Sequence, residues 1–228
     1  MPLRRLLEII GQYGGFFIVA ILIVVAGAWA FIALTDAVRE GDTGRFDLSI
    51  EHYVADHPGP AWLEEVGRDI TALGGVAVIA LVVLAVIGYL LLRGAYGAMW
   101  LVIIATGSGL LLSTALKLMV HRDRPAIIAH RSAVYTTSFP SGHSMLSAVV
   151  YLTLGALLAR LAKERVIKFY FLAIALILTG LVGISRVYMG VHWPTDVLAG
   201  WTAGLAWAAL CWAVTRYLQR RGAVERDS

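Results

Sequence analysis

The stretch GGVAVIALVVLAVIGYLLL, residues 74–92, decides the fold class. It carries no charged side chain, and its apolar residues fill every face of a helix rather than one stripe. It is also about as long as the ~20 helical residues that cross a hydrocarbon core. Five further runs share its character, from Phe16 to Leu34, Tyr96 to Leu116, Met145 to Leu161, Ile167 to Ile184 and Val197 to Tyr217. The sequence therefore predicts an all-α protein, a six-transmembrane helix bundle that makes residues 1–228 one membrane domain.

Composition agrees. Apolar residues make up 59% of the chain and charged residues 15%, against roughly half and a quarter in soluble domains. The net charge of +4 does not point to nucleic acid, because the basic residues are scattered at the ends of apolar runs and form no tract. The single cysteine, Cys211, lies inside an apolar run and offers neither an intrachain disulfide nor a cysteine metal cluster.

Arg4 and Arg5 precede the first run, as in a secretory signal, but the run is longer than the usual ~7–15 residue signal core, so it is read as a retained span. Upstream, Leu3 to Ile10 mixes leucines with charges and suits a short interfacial helix. The loop between the first two runs has apolar residues at helical spacing in two pieces, Phe46, Ile50 and Tyr53-Val54, then Trp62, Val66, Ile70 and Leu73, with a break at His57-Pro58-Gly59-Pro60. Two short amphipathic helices resting on the membrane are expected there. Arg93, Arg160, Lys163, Arg165, Lys168, Arg216 and Arg220 would share a side with both termini, whereas the first loop carries only Arg39, Arg45 and Arg68. By the positive-inside bias the termini are cytoplasmic and the first loop lies outside.

That orientation brings three polar clusters to the outer face. They are Lys117 with Arg124-Pro125, then Pro140-Ser141-Gly142-His143, then Ser185-Arg186 with His192 and Asp196. Charges at span ends are costly unless they snorkel or serve a site. Any one of them alone reads as an interfacial anchor or a cap, but matched sets at three neighbouring helix ends need a common ligand. A phosphate suits them. Lys117, Arg124 and Arg186 would neutralise it, and arginine adds a bidentate fork. Ser141 and Gly142 open a helix whose free N–H groups bind anions. Pro194 in the first turn of the last span would bring Asp196 to His192, fixing its tautomer and freeing one nitrogen as a nucleophile. His143 would protonate the leaving alkoxide and then activate water.

These residues resemble the three-part signature of the type 2 phosphatidic acid phosphatase superfamily. Its pattern is Lys, six residues, Arg-Pro, then Pro-Ser-Gly-His, then Ser-Arg, five residues, His, three residues, Asp. Every element is present in order, and the span layout is similar to that of the membrane lipid-phosphatase branch. The resemblance implies His192 as nucleophile, Asp196 as its orienting carboxylate and His143 as acid and base. It also implies Lys117, Arg124, Ser141, Gly142 and Arg186 as phosphate ligands, with no metal and no cofactor. The implied partner is a lipid phosphate, with membrane lipids as surroundings: phosphatidic acid, phosphatidylglycerol phosphate or a polyprenyl diphosphate. A lipid phosphotransferase is the alternative. An anion transporter fits less well, because the charges gather at one face and no internal repeat is visible. His121, Arg122, Asp123, His130, Arg131, His52 and His57 are read as solvated loop residues, and Tyr188 and Trp193 as interface markers.

Overall fold

The structure, a computed structural model, describes residues 3–127 and 137–220, with side chains between residues 17 and 219 of those ranges. Every regular element among them is a helix: α1 (Leu3–Glu40), α2 (Gly44–Asp56), α3 (Ala61–Ala72), α4 (Val76–Leu92), α5 (Tyr96–Met119), α6 (Gly142–Leu161), α7 (Arg165–Tyr188) and α8 (Pro194–Arg220). Helices α1, α5, α6, α7 and α8 are each long and apolar enough to span a membrane. With 17 residues, α4 sits at the short end of the spanning range, and it follows α3 through a 49° bend at Leu73-Gly74-Gly75. The six-span bundle stands, with two short helices in its first loop.

Helix α6 is the buried centre, packed on α7 and α8 and flanked by α5, while α1 lies against α8. Ile79 and Val83 of α4, Met99 and Val102 of α5, and Leu146 and Val150 of α6 form one apolar core. Facing lipid instead of water, Leu22, Trp29, Leu81, Leu111 and Phe169 are exposed without penalty. The closest crossing is between α6 and α8. A Cβ on Gly200 would stand 2.6 Å from the carbonyl of Ser141, and one on Gly204 would stand 2.6 Å from that of Met145. Small residues four apart let the two backbones touch. One turn before Gly200, the carbonyl of Asp196 then accepts from the Ser141 N–H at 3.0 Å.

One expectation needs correcting. Leu3 to Ile10 is not a separate interfacial helix but the start of α1, which runs unbroken for 38 residues. No proline interrupts it, and isolated glycines cost only about 1 kcal/mol each without ending a helix. The two short amphipathic helices of the first loop are present. Asp47 and Glu51 of α2 are completely buried, whereas Phe46, Tyr53 and Trp62 are exposed. The acidic residues of α2 thus meet the protein, whereas α3 turns Gly67 and Thr71 inward and leaves Glu65, Arg68 and Asp69 exposed. Helix α3 is tied to α7 by a 2.7 Å contact between the Thr71 and Ser185 hydroxyls and by the Tyr188 hydroxyl, which donates to the carbonyl of Pro58 at 2.6 Å.

The spans also run further at this face than the hydropathy predicts. Helix α5 continues to Met119, α6 begins at Gly142, α7 ends at Tyr188 and α8 begins at Pro194. Lys117 and Arg186 thus lie in last helical turns and His143 and Asp196 in first turns.

Candidate active site

Lys117 lies in the last turn of α5, where Nζ donates to the carbonyl of Thr137 at 3.0 Å and Thr137 Oγ1 donates back to the Lys117 carbonyl at 3.2 Å. The exchange pins residue 137 to the helix end. Its neighbour across the site is the start of α6: a Cβ on Gly142 would sit 3.4 Å from Lys117 Cε. The lysine stem and the helix start are thus close neighbours.

Ser141 is the N-cap of α6, and its Oγ accepts from the Ser144 N–H at 3.4 Å and the Ser144 hydroxyl at 2.9 Å. Accepting twice, it keeps its own proton to give. The next two N–H groups, of Gly142 and His143, have no acceptor among the described residues, which is the usual state of a helix start open to an anion. His143 lies beside the α3–α4 bend. A Cβ on Gly75 would come within 3.9 Å of its Nε2, and one on Gly74 would collide with Val182 at 2.4 Å. His192, Arg186, Lys117 and Arg124 are all close enough to His143 to act on it electrostatically.

Arg186 ends α7 almost fully buried, and its Nε has no partner among the described residues. A buried guanidinium left so is costly. Arg124 reaches over the loop before α8, donating to the carbonyl of Val191 at 2.5 Å, with the same Nη1 3.3 Å from His192 Nε2.

His192 precedes α8 and is buried. Its Nδ1 lies 3.4 Å from Asp196 Oδ2, one helical turn on. That is long for a hydrogen bond, as apo catalytic contacts often are. With a carboxylate as acceptor, Nδ1 carries the proton and Nε2 keeps its lone pair, directed towards Arg124. Burial pushes the imidazole down to about 4. The hydrogen bond and charge of Asp196 oppose that shift, and Arg186 and Arg124 reinforce it. The ring is therefore neutral at ordinary pH.

Asp196 is fully enclosed in the first turn of α8. Oδ2 also accepts from the Trp193 N–H at 3.0 Å, half of a capping box, and from the Ser138 hydroxyl in a short contact. Oδ1 accepts from Arg122 at 2.6 Å. Ser138 reaches both members of the pair, since its Oγ is 3.5 Å from His192 Nδ1.

All eight residues singled out in the sequence lie at this one face, around the ends of α5, α6, α7 and α8. One reading is overturned. Arg122 is not a solvated loop residue: only 16% of its side chain is exposed, and it bridges Asp196 and Asp47 at 2.6 Å each. Its solvated neighbours differ because nothing anionic is buried beside them. His121, Asp123, His52 and His57 are indeed exposed, and His130 and Arg131 lie outside the described residues. Trp193 and Tyr188 also brace loops: the Trp193 indole donates to the Asp123 carbonyl at 2.8 Å, and Arg122 lies 5.4 Å over its ring. Ser138, Arg122 and Asp47 were missed. A signal existed for Asp47, because Asp47 and Glu51, four residues apart, place two carboxylates on one side of α2. Among the described residues no group of three His, Cys, Asp or Glu is placed to hold a metal ion.

Comparison with known proteins places this arrangement. The family profile of the PAP2 superfamily matches residues 97–220. The chain is similar to phosphatidylglycerophosphatase B of Bacillus subtilis (strain 168), 38% identical over 63% of this chain and 71% of that one. It is also similar to an undecaprenyl-diphosphatase of Sulfolobus acidocaldarius, 39% identical over 29% of this chain and 28% of that one. Among solved structures, the first transmembrane PAP2 type phosphatidylglycerolphosphate phosphatase from Bacillus subtilis superposes with a TM-score of 0.80 at 31% identity, over 87% of this chain and 98% of that one.

Proposed function

The chain belongs to the PAP2 superfamily, and from that membership we propose that it releases phosphate from a lipid phosphate through a phosphohistidine at residue 192. It is an integral membrane protein and a phosphatase of the kind its relatives are. The observation that carries the mechanism is the orientation of His192, with Nδ1 on Asp196 and Nε2 among the cations.

Arg124, Arg186 and Lys117 would surround the phosphoryl oxygens, with the N–H groups of Gly142 and His143 and the Ser141 hydroxyl completing the cradle. His192 Nε2 attacks phosphorus as the bond to the lipid oxygen breaks, and His143 gives that oxygen its proton. His143 then takes a proton from water, whose oxygen attacks phosphorus, and the P–N bond breaks to release inorganic phosphate. Asp196 stabilises the imidazolium form of His192 between the two displacements. The lipid tail stays in the bilayer beside the spans.

The distribution of Lys and Arg supports cytoplasmic termini and a site on the extracytoplasmic side. Similarity over most of the chain makes phosphatidylglycerol phosphate the first substrate to try, with undecaprenyl diphosphate and phosphatidic acid next. The experiment presents these lipids to the purified protein in detergent and follows inorganic phosphate, with and without a lipid acceptor. Release by wild type and its loss in His192→Ala support the reading. Full activity in His192→Ala overturns the mechanism, and transfer to the acceptor in place of release makes the protein a phosphotransferase.

A further inference from the structure

Helix α2 buries two carboxylates against the spans although it has a whole solvent-facing and lipid-facing surface on which to place them. Asp47 uses both oxygens: Oδ1 accepts from the Thr195 N–H at 3.0 Å, and Oδ2 accepts from the Thr195 hydroxyl and from Arg122, each at 2.6 Å. The other nitrogen of the Arg122 fork donates to Thr195 at 2.8 Å and to Asp196 Oδ1 at 2.6 Å. A chain of charges thus runs from the loop helix through one guanidinium to the carboxylate behind His192.

As a stabilising device this is a poor choice. Two buried carboxylates share a single cation, and even balanced buried pairs often gain nothing over apolar packing. What the arrangement does offer is geometry. Asp47 satisfies the N–H and hydroxyl of Thr195 at the second helical position of α8, and Arg122 holds the oxygen of Asp196 that the imidazole does not use. Arg122 thereby fixes the rotation of Asp196 about its own stem, and Asp47 fixes Arg122 and the turn of α8 that carries Asp196.

We propose that Asp47 and Arg122 are positioning residues, through which helix α2 holds Asp196 and hence the His192 imidazole in its reacting orientation. The inference rests on the assignment of His192 as nucleophile. It makes the first loop part of the machinery rather than a cover over it. It also predicts how each charge tunes the nucleophile. His192 is faced by Asp196 from α8, Arg186 from α7, Arg124 from the preceding loop and His143 from α6, with Lys117 of α5 across the site and Arg122 and Asp47 behind Asp196. Removing the charge of Asp47 leaves Arg122 to Asp196 alone, so Asp196 supports the imidazolium less. Removing the charge of Arg122 does the reverse.

The test compares Asp47→Asn, Arg122→Gln and the double variant with wild type in kcat, KM, pH profile and melting temperature. Arg68→Gln, which breaks an exposed ion pair with Glu64 on α3, serves as the control. Each single variant is expected to lose about 10- to 100-fold in kcat with KM little moved, the scale of a slightly misplaced reacting group. The acid limb should move to lower pH in Asp47→Asn and to higher pH in Arg122→Gln. The double variant should lose less than the product of the two single losses, since Asp47 acts in part through Arg122. Should Arg122→Gln fail to fold, the downward limb of the isosteric Asp47→Asn carries the test. Folded variants within twofold of an active wild type overturn the inference, and so does a loss that tracks melting temperature with the limb unmoved. A wild type that releases phosphate from no lipid defeats the underlying assignment instead, a different result from variants that match an active enzyme.

Discussion

Replacing Asp196 by asparagine isolates what the carboxylate contributes, because shape is kept and one charge is lost. The carboxylate accepts four donors, Arg122 on Oδ1 and the Trp193 N–H, the Ser138 hydroxyl and His192 Nδ1 on Oδ2. A carboxamide has one acceptor side and one donor side. With its oxygen towards Arg122, its NH2 faces three donors and pushes the proton of His192 onto Nε2, which blocks the nucleophile. With its oxygen towards His192, Arg122 faces an NH2 and the buried cation loses its partner. Each mismatched buried donor costs about 1–3 kcal/mol, so stability falls in either orientation. In the first orientation the shifted tautomer and a turned Ser138 hydroxyl accept from the NH2, so only the Trp193 N–H is stranded, whereas the second sets an NH2 against the charge of Arg122. The first gives the wrong tautomer, and both remove the charge that supports the imidazolium. In a triad the equivalent change lowers kcat by about 10⁴ through the wrong tautomer. Here the loss should be on the order of 10³, or about 4 kcal/mol of transition-state stabilisation. The assay is phosphate release from the lipid that wild type prefers, at saturating concentration, with a thermal melt on the same preparation. A folded Asp196→Asn protein within threefold of the wild-type rate would refute the reasoning, since no arrangement of the amide reproduces the charge.

The depressed His192 ring gives a pH prediction of definite sign. A base held at about 4 stays neutral through the weakly acidic range and is lost only as pH falls through that value, so the acid limb of kcat/KM should lie well below the ordinary histidine value of 6.5. A diphosphate with its ionisations measured separately is the substrate to use, and a limb centred at 6.5 or above contradicts the burial argument. The α6–α8 crossing gives a stability prediction. In Gly204→Val the new Cβ would meet the Met145 carbonyl at 2.6 Å and Ala148 Cβ at 2.7 Å. Overpacking of this kind costs about 1–3 kcal/mol or more. The variant should melt at lower temperature in detergent, and an unchanged melting point would show that the two helices can separate freely.

The spans were legible because a lipid solvent imposes a crude rule, long apolar runs, and GGVAVIALVVLAVIGYLLL obeys it. The ends of the spans were less so. Hydropathy stops at the first charge, but the helices run on through Lys117, His143, Arg186 and Asp196, because a neighbouring helix end supplies each with company that a one-dimensional reading cannot see. The residues proposed to face phosphate were found through spacing, and they gather at one face. The layer behind them was not, since Arg122 stands in a run of charges that looks solvated, and its partner Asp47 is 75 positions away. Amphipathicity located α2 and α3, but it marks two faces without saying what the polar one meets.

The up-and-down order of the spans sets a pattern of helix termini that the residues at this face use. Helices α5 and α7 finish here while α6 and α8 begin, so two negative and two positive helix termini meet around one space. The residues follow that pattern of partial charge. Lys117 and Arg186 sit in last turns, where a helix favours a cation, and Asp196 sits in a first turn, where it favours an anion. Helix α6 brings no carboxylate to its start, only the Ser141 cap and the unpaired N–H groups of Gly142 and His143. The one positive terminus without an anion of its own thus opens between Lys117 and the nucleophile's cations. A bundle with its cations in the first turns and its acid in a last turn would set each helix against its own charge. Alternation supplies the same termini at the opposite face, so it is the side chains placed here that make the open start of α6 the place proposed for phosphate.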